Sequence, residues 1–222
     1  MLKKNIKPHR EKYVFFDFET KLDPKSKKHT INYCVAQDFN GNEEVFTNID
    51  EFCEWVFKPK HKDHTFMAHY GKGYDFQFIA EWLIIHGVKP HMLQNGHKII
   101  QMLVKHGYNI RFTDCFSFTL IPLRKFPVTF GLTELAKDIF HINSVQIKTR
   151  IIQDKSYYDY DQKIKKDREN FNEWYETTKD KTFDFKQEMH EYCKSDVNIL
   201  RKGCLKFRNL FIQIANMDPF HT

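Results

Sequence analysis

The sequence predicts an α/β domain in which a mixed central sheet is flanked by helices. Short apolar segments rich in aromatic and β-branched residues, typical of buried strands, occur at 13–16, 65–68 and 98–104. Apolar residues also recur at helical spacing over 74–86 and 183–217. An antiparallel start followed by helix, strand and helix favours a sheet that contains both parallel and antiparallel neighbours.

The N-terminal quarter predicts three antiparallel strands. The first is the apolar run Tyr13–Phe16, which a loop at 21–28 separates from a loosely alternating second strand at 30–38. Asn40-Gly41 is suited to a tight hairpin turn, because both residues tolerate the left-handed backbone conformation. We therefore expect residues 44–46 to pair back as the third strand.

The middle of the chain predicts two helices and further strands. Apolar spacing predicts a helix over 49–57, opened by a cap at Asn48 or Asp50, and then a short strand at 65–68. A second helix is expected over 74–86, ending at a glycine. Residues 98–104 and 108–114 are expected to form another hairpin.

The expected domain limits follow from where these patterns stop. Residues 1–12 form a basic N-terminal segment, and 13–217 form one folded domain. Within the domain, 132–140 predicts a helix and 141–166 an inserted loop. Residues 218–222 are expected to be a C-terminal tail or the start of a connection to a further region.

Composition narrows the class of protein. The chain of 222 residues carries a formal net charge of +6 and is 16% aromatic, which is compatible with a globular protein that binds nucleic acid. Its five cysteines are scattered without a CxxC pair, so reduced thiols in an intracellular protein are expected. No apolar run reaches membrane-spanning length, and the basic N-terminus has no apolar signal region.

The most informative motif is Asp17-Phe18-Glu19-Thr20, directly after the first apolar run. Two carboxylates one residue apart on a strand point to the same face and repel each other. Hard divalent ions such as Mg2+ prefer carboxylate oxygens, often together with substrate phosphate, so the pair indicates two-metal phosphodiester chemistry. The alternative is a strand end with two solvated acids.

Two further acids and a tyrosine complete a candidate set. Asp75 lies where a glycine-containing turn enters a predicted helix, which is also an ordinary place for a capping residue. Tyr192 and Asp196 are four residues apart on the last predicted helix and therefore lie on one face. Taken alone, that pair is equally an amphipathic helix with a solvated acid.

Together, D-x-E on a strand, Asp at a helix start and Y-x-x-x-D on a late helix follow the order of the tyrosine subclass of DEDD exonucleases. The chain resembles the 3′–5′ exonuclease domain of protein-primed family B DNA polymerases, which serve viruses, linear plasmids and Polinton-like transposons. Residues 66–79, 114–132 and 191–201 resemble that family's successive motifs. The resemblance covers nearly the whole chain, from about Tyr13 to Phe220.

The resemblance implies a ribonuclease H-like fold and removal of nucleotides from single-stranded DNA 3′ ends with two Mg2+ or Mn2+ ions. It implies catalytic and metal-binding carboxylates and a tyrosine that orients the attacking water or helps to deprotonate it. These residues are Asp17, Glu19, Asp75 and Asp196, with Tyr192 as the tyrosine. The residues it implies for contact with the DNA strand are Thr20, His69, Tyr70, Tyr74, Phe76, Cys115 and Phe116.

The sequence departs from the family pattern at three places. Cys115-Phe116 occupies the place of a hydroxyl residue and an apolar neighbour that contact single-stranded DNA. Tyr70 stands where the family carries an Asn that binds the terminal nucleotide, and tyrosine cannot supply both amide functions. A lysine that some relatives use in catalysis cannot be assigned among Lys148, Lys155 and the later lysines. The resemblance further implies a polymerase region and a terminal protein primer as partners of a monomeric domain. Two other functions stay open: a weakened domain that only binds single-stranded DNA or a replication partner, and a DEDD nuclease that acts on RNA.

Overall fold

A computed structural model of the chain describes residues 12–132 except 106, residues 184–220, and a few positions between them: 135, 168–169, 171–172 and 175–176. Almost all of the predicted helix at 132–140 and all of the predicted loop at 141–166 lie outside these residues, as does the N-terminal segment up to residue 11. The predicted domain limits therefore stay predictions.

Within the described residues, a seven-stranded mixed sheet forms the centre of the fold, in the spatial order β3-β2-β1-β4-β7-β6-β5. The strands are β1 Tyr13–Leu22, β2 His29–Asp38, β3 Glu43–Phe46, β4 Thr65–Ala68, β5 His91–Asn95, β6 Lys98–Val104 and β7 Ile110–Asp114. Strands β1, β4 and β7 run parallel to one another, and the remaining neighbours are antiparallel. The predicted α/β class with a mixed sheet is confirmed.

Helices cover the two faces of this sheet. They are α1 Ile49–Val56, α2 Asp75–Ile85, the short α3 Phe116–Thr119 and α4 Phe126–Phe130, and the long α5 Phe185–Ala215. Asn48 caps α1 by accepting a hydrogen bond from the backbone N–H of Glu51. Asp184 caps α5 in the same way, by accepting hydrogen bonds from the backbone N–H groups of Lys186 and Gln187.

Alternation along β1 divides the interior into two cores. Val14, Phe16 and Phe18 point to one face, where they pack with residues of α1 and α2. Tyr13 and Phe15 point to the other face, where they pack with residues of α5. Strand β1 is buried on both sides because each face carries its own helical layer. Asp17 and Glu19 must therefore each face one layer or the other.

The structure corrects the predicted strands in two places. Strand β1 continues to Leu22, so Asp17 and Glu19 lie inside a strand and the expected loop is shorter than 21–28. Pairing with β2 holds this extension through a register shift between Glu19 and Thr20. Strand β5 was not predicted, because all five of its residues are exposed and no buried face imposes an alternating pattern.

All five cysteines are buried free thiols. Among the described residues, no helix combines the length and the apolar character that crossing a membrane requires.

We predict that Gly203→Ala lowers the free energy of unfolding by about 1–3 kcal/mol, the usual cost of overpacking a core. A methyl group at Gly203 on α5 would overlap the Phe126 ring of α4. This clash opposes the helix-propensity gain of about 1 kcal/mol that alanine brings. Urea unfolding followed by circular dichroism measures the change.

Two further variants make the test specific. Lys206→Ala alters an exposed position of the same helix and should leave stability within about 0.5 kcal/mol. Adding Phe126→Leu to Gly203→Ala should recover part of the loss. A Gly203→Ala protein as stable as the unaltered chain would show that the two helices do not approach each other this closely.

Candidate active site

The residues singled out by the sequence converge at one edge of the sheet. The carboxyl ends of parallel strands meet at the same edge, and open α/β sheets bind ligands there. At this edge β1 carries Asp17 and Glu19, the loop after β4 leads to Asp75, and β7 ends in Asp114. Strand β4 pairs with β1 only as far as Phe15, so the backbone of β1 beyond it is open to groups from the following loop.

Asp17 and Glu19 continue the alternation that places Tyr13 and Phe15 on the face covered by α5. Both side chains are partly exposed. One carboxylate oxygen of each lies within 4.8 Å of the other and of the Cys193 sulfur on α5. No other group of three such metal-ligating atoms occurs among the described residues. The D-x-E motif therefore points at the helix that carries Tyr192 and Asp196.

Asp75 opens α2 and is 4% exposed. Its carboxylate accepts a hydrogen bond from the backbone N–H of Phe18, the residue between the two acids of β1. Burial raises the pKa of Asp75 to about 7, and the negative charge of Asp114 adds to the rise. The third predicted carboxylate thus lies beside the backbone of the strand that carries the first two, in a place where negative charge is unfavourable.

Tyr192 and Asp196 lie one turn apart on α5, and Asp196 is 5% exposed. Val197 and Leu200 of the same helix are buried in the second core, which holds this part of α5 against the sheet. Burial raises the pKa of the Tyr192 phenol, and the charges of Asp196, Glu19 and Asp17 raise it further. The tyrosine is therefore surrounded by three of the four predicted carboxylates.

Thr20 and Tyr74, both predicted to contact the DNA strand, form a hydrogen-bonded group with His29. The Tyr74 hydroxyl lies 2.6 Å from the Thr20 hydroxyl and 2.9 Å from His29 Nδ1. Thr20 Oγ1 is also 3.1 Å from that nitrogen. Sequence reasoning missed His29, which follows a lysine-rich loop and becomes adjacent only through the β1–β2 pairing of Leu22 with His29.

The other residues predicted to contact the DNA strand divide into those with accessible and those with inaccessible side chains. Tyr70 is 46% exposed and has a left-handed backbone with φ of 63°, and its ring meets the Phe116 ring edge-on at 5.6 Å. His69 lies 3.0 Å through Nε2 from the carbonyl oxygen of Ile121. Phe76 and Cys115 are fully buried in the first and second core. Both side chains are enclosed by the cores, and contact of these two residues with the DNA strand stays a prediction.

Asp114 is a residue of the site that sequence reasoning did not single out. Its side chain is fully buried, and Oδ1 accepts hydrogen bonds from the backbone N–H groups of Tyr70 at 2.8 Å and Phe116 at 2.9 Å. The Lys72 ammonium lies 3.7 Å from Oδ2 and 4.8 Å from the centre of the Phe116 ring. One carboxylate therefore joins the loops after β4 and β7. The sequence signal that could have identified Asp114 was its position at the end of a predicted strand.

The donor set suits hard divalent cations. Carboxylate oxygens are the ligands that Mg2+ and Mn2+ prefer. The raised pKa of the buried Asp75 means that the described residues leave negative charge there incompletely balanced. A cation beside these carboxylates would relieve that cost, so the residues fit a metal site.

Comparisons with known proteins agree with this fold. Phi29 DNA polymerase complexed with primer-template DNA and incoming nucleotides matches with a TM-score of 0.58 and 15% identity, over 94% of this chain and 32% of that chain. Phi29 DNA polymerase complexed with single-stranded DNA matches with a TM-score of 0.56 and 14% identity, over 90% and 32%. The chain thus spans about a third of the length of these polymerases, and at such identity the likeness shows the fold.

Sequence comparison gives the family. No curated protein matches the chain at a significant level. A family model described as DNA polymerase type B, organellar and viral matches residues 53–221, which is most of the chain. The match confirms the resemblance that the motifs indicated, and the structural likeness to Phi29 DNA polymerase confirms the ribonuclease H-like fold expected from it. The chain belongs to the family of organellar and viral type B DNA polymerases.

Proposed function

We propose that this domain is a metal-dependent 3′–5′ exonuclease that removes nucleotides from single-stranded DNA 3′ ends. The observation that carries the proposal is the convergence of four carboxylates and Tyr192 from three separate parts of the chain at one sheet edge. A net charge of +6 favours a polyanionic substrate. Phi29 DNA polymerase, which is similar in fold, has been solved with single-stranded DNA.

In this proposal Asp17, Glu19, Asp75 and Asp196 hold two Mg2+ or Mn2+ ions. Such ions stabilise the charge that develops on the attacking and leaving oxygens of a phosphodiester. The chain's own contribution is to hold the four carboxylates at fixed positions on a strand and two helices. The Phe18 N–H keeps Asp75 oriented beside the strand that carries Asp17 and Glu19.

Tyr192 orients the attacking water in this scheme. The raised pKa of its phenol keeps the hydroxyl protonated at neutral pH in the metal-free site. A protonated hydroxyl can donate one hydrogen bond and accept another, but it cannot serve as the base that removes a proton. Tyr192 is therefore a positioning group for water, next to carboxylates that can accept the proton.

In this proposal the 3′ end of the DNA binds beside the metal ions. Thr20 and His29 hold the Tyr74 hydroxyl, which fixes the ring orientation for stacking on a base. Tyr70 and Phe116 offer a second aromatic surface at the same edge, kept in place by Asp114. The exposed Tyr70 ring provides stacking in place of the amide contacts that an Asn would make.

The proposal predicts that Asp17→Asn reduces hydrolysis by about 100-fold or more, because misplacing one electrostatic stabiliser costs on that scale. The measurement uses 5′-labelled single-stranded DNA with Mg2+, Mn2+ or EDTA, so that 3′ trimming appears as a ladder. Asp23→Asn removes an exposed acid of the β1–β2 loop and is the matched control. Hydrolysis by the unaltered protein in EDTA as fast as in Mg2+, or hydrolysis by Asp17→Asn in Mg2+ as fast as by the unaltered protein, would exclude the metal mechanism, and trimming of RNA alone would reassign the substrate.

For Tyr192→Phe we expect cleavage to slow by about 10- to 1,000-fold, the scale of one positioned hydrogen bond in the transition state. Metal affinity should change little, since a phenol is not among the proposed ligands. Single-turnover kinetics and Mn2+ titration separate the two effects. An unchanged single-turnover rate at neutral pH would make Tyr192 a packing residue.

The stability of the metal-free protein should fall as pH rises from about 4 to about 7. Because the folded-state pKa of Asp75 is about 7 and its ordinary value is 3.8, the folded protein binds more protons than the unfolded chain in that window. Asp75→Asn should remove this dependence and be more stable than the unaltered protein at pH 8, by at most about 4 kcal/mol.

Urea unfolding at pH 4 and pH 8, with and without Mn2+, measures this effect. Mn2+ should stabilise the unaltered protein more than Asp75→Asn, since a ligand stabilises the state that binds it. Asp23→Asn is again the control at an exposed acid. A decline with pH that persists in Asp75→Asn would place its origin at another group.

A further inference from the structure

We propose that Asp17, Glu19 and Cys193 form a binding site for a soft divalent cation, of the Zn2+ or Cd2+ class, and that its occupation inhibits the proposed hydrolysis. The inhibition rests on the proposed function, whereas the binding itself does not. Hard ions such as Mg2+ avoid sulfur, so this site would differ in metal preference from the one that supports hydrolysis.

The first argument is distance. The two carboxylate oxygens and the Cys193 sulfur all lie within 4.8 Å of one another. An ion with about 2.3 Å bonds to sulfur and about 2.0–2.2 Å bonds to oxygen needs its ligand atoms about 3.3–4.5 Å apart. Small side-chain rotations therefore suffice to close three ligands around one ion.

The second argument is rigidity. Asp17 and Glu19 lie on the central strand, and Cys193 lies on α5, which packs against that strand. The thiol donates a 3.6 Å hydrogen bond to the Asp17 backbone carbonyl, which keeps the sulfur beside the carboxylates. Little conformational entropy remains to be lost when an ion binds, so a preformed set of three ligands should bind well.

The third argument is charge. The Cys193 thiol donates its proton in the hydrogen bond to the Asp17 carbonyl, so it is a thiol in the metal-free protein. Binding releases this proton to solvent as the metal–sulfur bond forms, and the two positive charges of the ion offset the new thiolate and the two carboxylates. Because Asp17 and Glu19 serve both ions, a soft cation held by the thiolate would displace the hard one.

The test uses Cd2+ alone as the probe, without DNA. Binding to the unaltered protein should produce the ultraviolet sulfur-to-cadmium charge-transfer band, which reports metal–thiolate bonds directly. Cys193→Ser should remove most of this band, whereas Cys53→Ser, a fully buried free cysteine of the first core, should retain it. Cys204→Ser measures any signal from the Cys115–Cys204 contact.

Glu19→Gln keeps the cysteine and tests how much the Glu19 carboxylate contributes to Cd2+ affinity. It should weaken Cd2+ affinity by about tenfold or more while the thiolate band at saturation remains. In the cleavage assay with excess Mg2+, Cys193→Ala should need a higher Zn2+ concentration for half inhibition, expressed relative to its own uninhibited rate. This arm is read only if the unaltered protein cleaves DNA.

The outcomes separate the two proposals. A band that Cys193→Ser abolishes, in a protein that cleaves no DNA, supports the soft-cation site and overturns the proposed function. Cleavage without any band, or a band that survives unchanged in Cys193→Ser, overturns the soft-cation site and leaves the proposed function intact. If Cys193→Ser does not fold, an unchanged Cd2+ affinity in folded Glu19→Gln overturns it independently.

Discussion

Repulsion among buried carboxylates is the interaction on which the rest of this structure depends. Asp75, Asp114 and Asp196 are each at most 5% exposed, and carboxylate oxygens of Asp17 and Glu19 lie within 4.8 Å of each other. Burying like charges together opposes folding unless hydrogen bonds, a cation or a rigid frame offset the cost. The backbone N–H groups of Phe18, Tyr70 and Phe116 and the ammonium of Lys72 supply part of that compensation.

The rigid frame comes mainly from the way α5 is held against the sheet. Near its middle, Arg201 donates to the Gln37 side chain at 3.0 Å and to the Phe39 carbonyl at 3.3 Å. Near its start, His190 lies 3.1 Å from the Tyr33 hydroxyl and 3.3 Å from a Glu43 oxygen. These contacts flank the turn that carries Tyr192 and Asp196, so the helix cannot move away to relieve the repulsion.

A second anchor lies at the far end of the same helix. Arg208 donates two hydrogen bonds to one Asp218 carboxylate oxygen, at 2.7 and 2.9 Å, and its guanidinium lies 5.4 Å from the centre of the Tyr13 ring. The Phe220 ring meets Tyr13 edge-on at 5.8 Å. Asp218 and Phe220 are thus packed onto the start of the strand that carries the D-x-E motif.

The sequence by itself determined the fold class, the first three strands, α1, α2 and α5, and the five residues proposed for catalysis. These have local signals: a two-residue or a 3.6-residue period, a cap, or two groups one helical turn apart. Only the tertiary structure decided what stands beside them. Strand β5 has no buried face, and the end of β1 is held by its partner strand, so neither follows from its own residues. Asp114, His29 and Cys193 come from distant parts of the chain, and their contacts with Tyr70, Tyr74 and Asp17 arise from sheet order and helix docking, which no short-range pattern encodes.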